Sequence, residues 1–278
     1  MIPLAQGLRQ ARDRGEFLVV PYLLADRQRT PTVGHRLGIL HEAGAHAVEV
    51  GIPFSDPIAD GPILAEAAAR SLEHGTGWKD VLATVQAAAT VLPVAVMSYV
   101  NPLLRDGAGR PLEELAEAGA SALIVPDLAE DEARAWSDRA RSHRIDLVRF
   151  LAPGADPDRA RTVARSARGF LYLVSRYGIT GRGGSNPAPP LKPLVETVRH
   201  TAPDLPILAG FGIRDATTAR EAARLGVDGV IVGSALEEIW STGDGDDPAR
   251  RLVRALASGR SQSAFTRNPT RNPTRMPQ

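Results

Sequence analysis

Two carboxylates in this chain stand where chemistry could be done. Glu49 lies inside an apolar run, AVEVGI (47–52), and Asp60 lies near the end of the loop that follows, IPFSDPIADGP (52–62). A carboxyl group among valines tends to keep its proton, whereas one on a polar loop tends to lose it. The pair could therefore supply a general acid and a fixed anion to one reaction. Each also has a structural reading. Glu49 could be half of a buried ion pair with Arg or Lys, and Asp60 could cap a helix that starts near Pro62.

A second constellation is made of glycines. Ser175-Arg176-Tyr177-Gly178-Ile179-Thr180-Gly181-Arg182-Gly183-Gly184 follows one apolar run, Gly210-Phe211-Gly212-Ile213 ends another, and Gly233-Ser234 ends a third. Glycines at successive strand ends let backbone N–H groups come close to an anion. A short helix beginning at Ser234 would turn its positive N-terminus to the same place. This pattern points to a phosphate monoester as ligand. Neither a GxGxxG nor a GxxxxGK[ST] nucleotide signature is present, and no clustering of histidine and carboxylate suggests a metal.

Eight short apolar runs position these residues: FLVVPYLL (17–24), AVEVGI (47–52), PVAVMSY (93–99), ALIVPDL (122–128), DLVRFLA (146–152), FLYLVS (170–175), PILAGFG (206–212) and GVIVGSA (229–235). They are continuous rather than alternating, as in parallel strands covered on both faces. Between them lie segments of helical spacing: 31–43, 62–72, 78–91, 112–118, 131–143, 156–167, 191–200, 215–225 and 247–256. EAGAHAVEV, EAGASALIV and RLGVDGVIV all read as helix end, glycine turn, strand. The repeat predicts an α/β fold, a (β/α)8 TIM barrel in one domain over residues 1–258, with a doubly wound open sheet as the competing topology. Residues 2–14 read as an amphipathic helix capping the barrel bottom. From Gly259 the periodicity is lost, and TRNPTRNPTR within 259–278 reads as a disordered tail. In such barrels the active site forms at the C-terminal strand ends, which is where Glu49, Asp60 and the glycines fall.

Composition excludes several functions. With 33 Lys+Arg against 32 Asp+Glu, the net charge of +1 gives no field to gather nucleic acid or an anionic membrane. The absence of cysteine excludes disulfides, thiolate metal sites and a thiol nucleophile. No apolar run approaches the roughly 18 residues of a spanning helix. The N-terminal segment MIPLAQGLRQARDRGEF carries charges where a signal peptide needs an apolar core. These features predict a soluble, cytoplasmic chain.

VEVGIPFSDPIADGP (48–62), MSYVNPL (97–103), LIVPDL (123–128), FLYLVSRYGITG (170–181), ILAGFGI (207–213) and GVIVGSA (229–235) together resemble the tryptophan synthase alpha subunit family, in order, from about residue 4 to about 258. The resemblance implies a lyase of tryptophan biosynthesis that splits indole-3-glycerol phosphate by a retro-aldol step into indole and glyceraldehyde 3-phosphate. It also implies no cofactor on this chain. Pyridoxal phosphate would belong to a beta subunit, joined with this chain in an alpha2beta2 heterotetramer.

By motif, Glu49 would be the acid–base glutamate and Asp60 its partner. Tyr22, Tyr99, Val125 and Phe211 would line the indole pocket, with Tyr172 beside the acids. Thr180, Gly181, Gly212, Gly233 and Ser234 would bind phosphate, and Pro53, Phe54, Ser55, Asp56, Asn101 and Pro102 would face the beta subunit. The chain departs from the family pattern after the first strand, where Leu24-Ala25-Asp26-Arg27-Gln28 replaces the usual Thr-Ala-Gly-Asp-Pro. Ala65 replaces a customary glutamine, and Arg182-Gly183-Gly184-Ser185-Asn186-Pro187 is richer in glycine than usual. These departures bear on loop closure and partner communication. A stand-alone lyase releasing free indole, and a non-catalytic barrel that activates a beta chain, are the alternatives.

Overall fold

A computed structural model describes residues 3–28, 32–105, 109–175, 191–243 and 245–259. Among these, nine parallel strands form one sheet: β1 (Leu18–Leu24), β2 (Val48–Gly51), β3 (Val94–Met97), β4 (Ala120–Ile124), β5 (Asp146–Leu147), β6 (Arg149–Leu151), β7 (Leu171–Val174), β8 (Ile207–Gly210) and β9 (Gly229–Val232). The order β5-β4-β3-β2-β1-β9-β8-β7-β6 puts β5 and β6 at opposite ends of the sheet. Yet these two are neighbours in the chain, separated only by Val148. The sheet therefore bends round on itself and nearly closes into a barrel.

The sequence predicts one strand over 146–152, and the structure corrects it to two. At the seam the chain changes partner, from β4 for Asp146 and Leu147 to β7 for Arg149–Leu151. Val148 marks the change. Its N–H still donates to the Leu123 carbonyl at 2.9 Å.

Among the described residues twelve helices accompany the strands: α1 (Leu4–Asp13), α2 (Val33–Glu42), α3 (Pro62–Glu73), α4 (Trp78–Ala89), α5 (Val100–Leu103), α6 (Gly109–Glu117), α7 (Ala133–Ser142), α8 (Pro157–Ser166), α9 (Lys192–Thr201), α10 (Ala216–Arg224), α11 (Ser234–Ser241) and α12 (Asp246–Ala257). Side-chain caps fix several starts. Thr32 accepts from the His35 N–H before α2, Asp156 from Arg159 before α8, and Asp215 from Thr218 before α10. Gly119 ends the α6 repeat unit at φ 104°, where a Cβ would also lie 2.5 Å from that of Ala89, so only glycine fits. The one-turn helix α5, inside MSYVNPL, has no counterpart in the sequence reading.

Strand periodicity sorts the core into two layers. Val19 and Leu23 of β1, Val48 and Val50 of β2, and Leu171 and Leu173 of β7 pack outward against the helices. Leu18, Val20, Tyr22, Ala47, Ala95, Ile124, Tyr172, Leu208 and Ile231 fill the barrel interior. Leu4, Leu8 and Ala11 of α1 belong to this inner layer and close the barrel floor. The burial of Leu8 alone stabilises by about 2 kcal/mol. Because Val48 and Val50 face out, Glu49 between them must face in. The tail from residue 260 lies outside the described residues.

Candidate active site

A cavity of about 350 Å³ opens at the C-terminal strand ends, and Glu49 and Asp60 line it together. Glu49 is cross-strand neighbour to Tyr22 on β1 and to Ala95 on β3. It is only 4% exposed, and its Oε2 has no hydrogen-bond partner. Burial, with the negative charge of Asp60 added, raises its pKa from 4.5 to about 8. The buried-ion-pair reading therefore falls, since no Arg or Lys among the described residues pairs with Glu49.

Asp60 is half-buried on the β2–α3 loop. Its Oδ2 accepts a hydrogen bond from the Tyr99 hydroxyl at 3.1 Å, and that hydroxyl in turn accepts from the Ala59 N–H at 3.0 Å. Burial raises its pKa from 3.8 to about 6, and the Tyr99 hydrogen bond opposes the rise. The helix-cap reading of Asp60 is corrected by one position. The N-cap of α3 is Gly61, extended at φ −75°, with no side-chain cap bond. Asp60 is left free to turn toward the cavity.

Aromatic rings make much of the remaining interior. The Tyr172 ring sits 4.8 Å from Phe150, 5.6 Å from Phe211 and 6.4 Å from Phe170. Burial pushes its phenol well up, and the charges of Glu49 and Asp60 add to this, so it stays neutral. Two glycines make room for the tyrosines. A Cβ on Gly51 would lie 2.0 Å from the Tyr22 hydroxyl, and one on Gly210 would lie 2.2 Å from that of Tyr172. The glycine-rich strand ends predict an anion site that includes Gly210, whereas Gly51 carries no such signal in the sequence. In one dimension a glycine that seats a ring looks the same as one that makes a turn.

Tyr22, Tyr172 and Phe211 line the cavity, but two other residues placed there from the sequence do not. Val125 faces the helix layer and packs in the outer core, because the inward residue of its strand is Ile124. Tyr99 is buried in the inner layer beside the cavity, with its hydroxyl engaged by Asp60 and the Ala59 N–H. Met97, Ile124, Leu64 and Phe150 line the space without having been singled out. Their inward placement follows from strand and helix register, which the run of apolar residues alone does not reveal.

The opposite wall is main chain. Gly212, Ile213, Gly233 and Ser234 line it, and α11 begins at Ser234. The first N–H groups of a helix lack internal acceptors and carry its positive dipole end, so this wall suits an anion. No Lys or Arg lines the cavity among the described residues. Phe211 and Gly212 take positive φ values of 68° and 81°. For phenylalanine that conformation costs about 1–2 kcal/mol. Thr180 and Gly181, the other residues assigned to phosphate, lie outside the described residues.

The sequence pattern of the family described as tryptophan synthase alpha chain matches residues 8–263. This chain belongs to that family. Among its tryptophan synthase alpha relatives, the chain from Synechococcus elongatus is 40% identical over 238 residues, spanning 84% of this chain and 88% of the relative. That from Picosynechococcus is 36% identical over 245 residues, spanning 87% and 92%. A crystal structure of tryptophan synthase from M. tuberculosis, in its aminoacrylate-bound form, superposes with a TM-score of 0.79 at 32% identity, covering 93% of this chain and 99% of that one. The tryptophan synthase alpha barrel is thus the fold of this chain.

The residues expected to face a partner sit at the rim of this family barrel. Phe54 is half-buried, its ring 5.3 Å from that of Tyr99, and so is less exposed than its loop context suggests. Pro53 is buried and Pro102 half-buried, while Asp56 and Asn101 are exposed and Asp56 accepts from the Ser55 hydroxyl at 2.5 Å. Ile58, 73% exposed on the same loop, and Leu104, 49% exposed just after α5, are the large apolar side chains presented there. Among the described residues no three His, Asp or Glu side chains are grouped to hold a metal ion, and no helix is long and apolar enough to cross a membrane.

Proposed function

We propose that this chain is the lyase of tryptophan biosynthesis that splits indole-3-glycerol phosphate, with Glu49 as its acid–base group and Asp60 as its fixed anion. Membership of the tryptophan synthase alpha family carries the reaction. The opposed protonation of two carboxyls in one cavity carries the mechanism. Near pH 7 a group with pKa about 8 is mostly protonated and one with pKa about 6 mostly ionised.

In this reading Glu49 gives its proton to the ring carbon that bears the side chain. The positive charge that spreads to the ring N–H is stabilised by the Asp60 carboxylate. The Glu49 carboxylate then takes the proton from the hydroxyl on the adjacent carbon. As that oxygen becomes the aldehyde carbonyl, the carbon–carbon bond breaks and its electron pair restores the neutral indole. One proton is delivered and one recovered, so the products are indole and glyceraldehyde 3-phosphate with Glu49 again protonated. The wall of Gly212, Gly233 and Ser234 holds the phosphate and fixes the reacting carbon against Glu49, turning binding energy into orientation. No step calls on a cofactor of this chain.

The proposal extends to a partner. The chain would dock as the alpha unit of an alpha2beta2 complex on a beta subunit that carries pyridoxal phosphate, in the cytoplasm, a setting compatible with its lack of cysteine. Ile58 and Leu104 are exposed after β2 and β3, with half-buried Phe54 on the same loop as Ile58, and apolar groups on such loops suit an interface centre. The test is indole formation by the full chain, alone and mixed with a cognate beta chain. Complex formation by sizing chromatography and a raised cleavage rate are expected, and Phe54→Ala should weaken both with the barrel still folded. Substantial turnover alone, with no complex at micromolar concentration, would replace the subunit reading with a stand-alone lyase. No indole under either condition would overturn the lyase reading itself.

A further inference from the structure

The wall that receives the phosphate rests on a turn that its own sequence disfavours. Phe211 and Gly212 follow one another at φ 68° and 81°, a region glycine enters freely and phenylalanine does not. One restraint is the packing of the Phe211 ring on Tyr172. The other comes from Ser175, the residue directly after β7. Its N–H donates to the Gly210 carbonyl at 3.0 Å. Its hydroxyl lies 2.7 Å from the same oxygen and also within hydrogen-bond reach of the Phe211 carbonyl.

The Phe211 carbonyl and the Gly212 N–H belong to one planar peptide unit and point in opposite directions. Holding the carbonyl therefore sets the direction of the N–H, and Gly212 lines the cavity. We propose that Ser175 is a positioning residue for phosphate recognition: by holding the Phe211 carbonyl, its hydroxyl aims the Gly212 N–H at the substrate's phosphate. Ser175 need not touch the ligand. The inference rests on the phosphate-monoester reading of this wall, and it assigns a role to a side chain outside both the catalytic pair and the glycines.

The test uses two probes on the full chain: indolepropanol phosphate, a non-cleavable analogue, and indolepropanol, which lacks the phosphate. Calorimetry of Ser175→Ala should show binding of the phosphorylated probe weakened about three- to tenfold, the size of one lost hydrogen bond. Binding of the phosphate-free probe should be unchanged, and Ser175→Thr, which keeps the hydroxyl, should stay within about twofold of the parent for both. If Ser175→Ala does not fold by circular dichroism, Ser175→Cys, nearly isosteric with a weak donor, is expected to show the same split. Equal weakening of both probes, or of neither, would overturn the proposal. A parent chain that binds the two probes equally would instead overturn the phosphate reading, and the role of Ser175 with it.

Discussion

The two walls of the cavity follow opposite plans. On the β2 side the groups proposed to react are side chains, Glu49 and Asp60, whose behaviour is set by how far they are withdrawn from water. On the β7–β9 side the groups proposed to bind phosphate are main-chain N–H groups at Gly212, Gly233 and the start of α11, held by a turn and a helix end. A buried carboxyl changes its charge state within the physiological range and destabilises the fold when ionised. A peptide N–H does neither. The first wall should therefore be sensitive to pH and costly to stability, and the second sensitive to backbone geometry and indifferent to pH.

Removing the ionisable group should break this contrast most severely. Glu49→Gln is expected to lower kcat by about 10²–10⁴ while indolepropanol phosphate binds as before. Turnover within a few-fold of the parent would end the assignment of Glu49. The same variant tests the stability cost. A carboxyl whose folded pKa exceeds its unfolded value still holds its proton in the folded chain when the unfolded chain has released it. Its contribution to stability therefore falls as pH rises from 4.5, and the loss is complete above about 8. Glutamine carries no such penalty. Urea titrations at pH 9 should find Glu49→Gln more stable than the parent by on the order of a few kcal/mol, with the gap narrowing toward pH 5. A gap that does not change with pH would show that Glu49 is not desolvated as described.

A geometric change should act on the other wall alone. Gly212→Val forces a β-branched residue to φ 81°, where only glycine is unstrained. Affinity for indolepropanol phosphate should fall roughly tenfold to hundredfold. The pH dependence of what activity remains at saturating substrate should match that of the parent. A shifted pH profile would mean that the two walls are not separable.

The contrast also explains which parts of the site could be read from sequence. The strands announced themselves as apolar runs, and Glu49 was legible because a charge between two outward valines has one direction left to point. Asp60 was ambiguous, since cap and catalyst differ there by a single position, which Gly61 occupies. Strand alternation carries on through Val125, which faces out like Leu123 while Ala122 and Ile124 face in, so its direction was legible from register. Tyr99 follows Met97 into the inner layer, and only packing shows its hydroxyl engaged by Asp60 and Ala59. The break at Val148 is a property of barrel closure, which depends on the register of every strand and has no local sequence signal. Gly51 and Gly210 seat tyrosines that lie far from them in sequence, so their role is visible only in three dimensions.

The smallest change probes Asp60 through its neighbour. The proposed reaction needs Asp60 ionised and Glu49 protonated, so kcat/KM should rise with pH through about 6 and fall through about 8. The Tyr99 hydroxyl donates to Asp60 and favours its charged form, which lowers its pKa against the pull of burial. Tyr99→Phe keeps the ring that packs on Phe54 but removes that donor. The acid limb of the profile should then move to higher pH, by up to about one unit for the loss of a single hydrogen bond to a carboxylate. The basic limb, governed by Glu49, should stay near its place, and affinity for the phosphorylated analogue at pH 8 should not change. At pH 6 the variant would run a few-fold slower than the parent, and near pH 7.5 the two would almost coincide. An acid limb that stays where it is would mean that Asp60 is not the group titrating there. A matching shift of both limbs would mean that Tyr99 acts on the whole cavity rather than on one carboxylate.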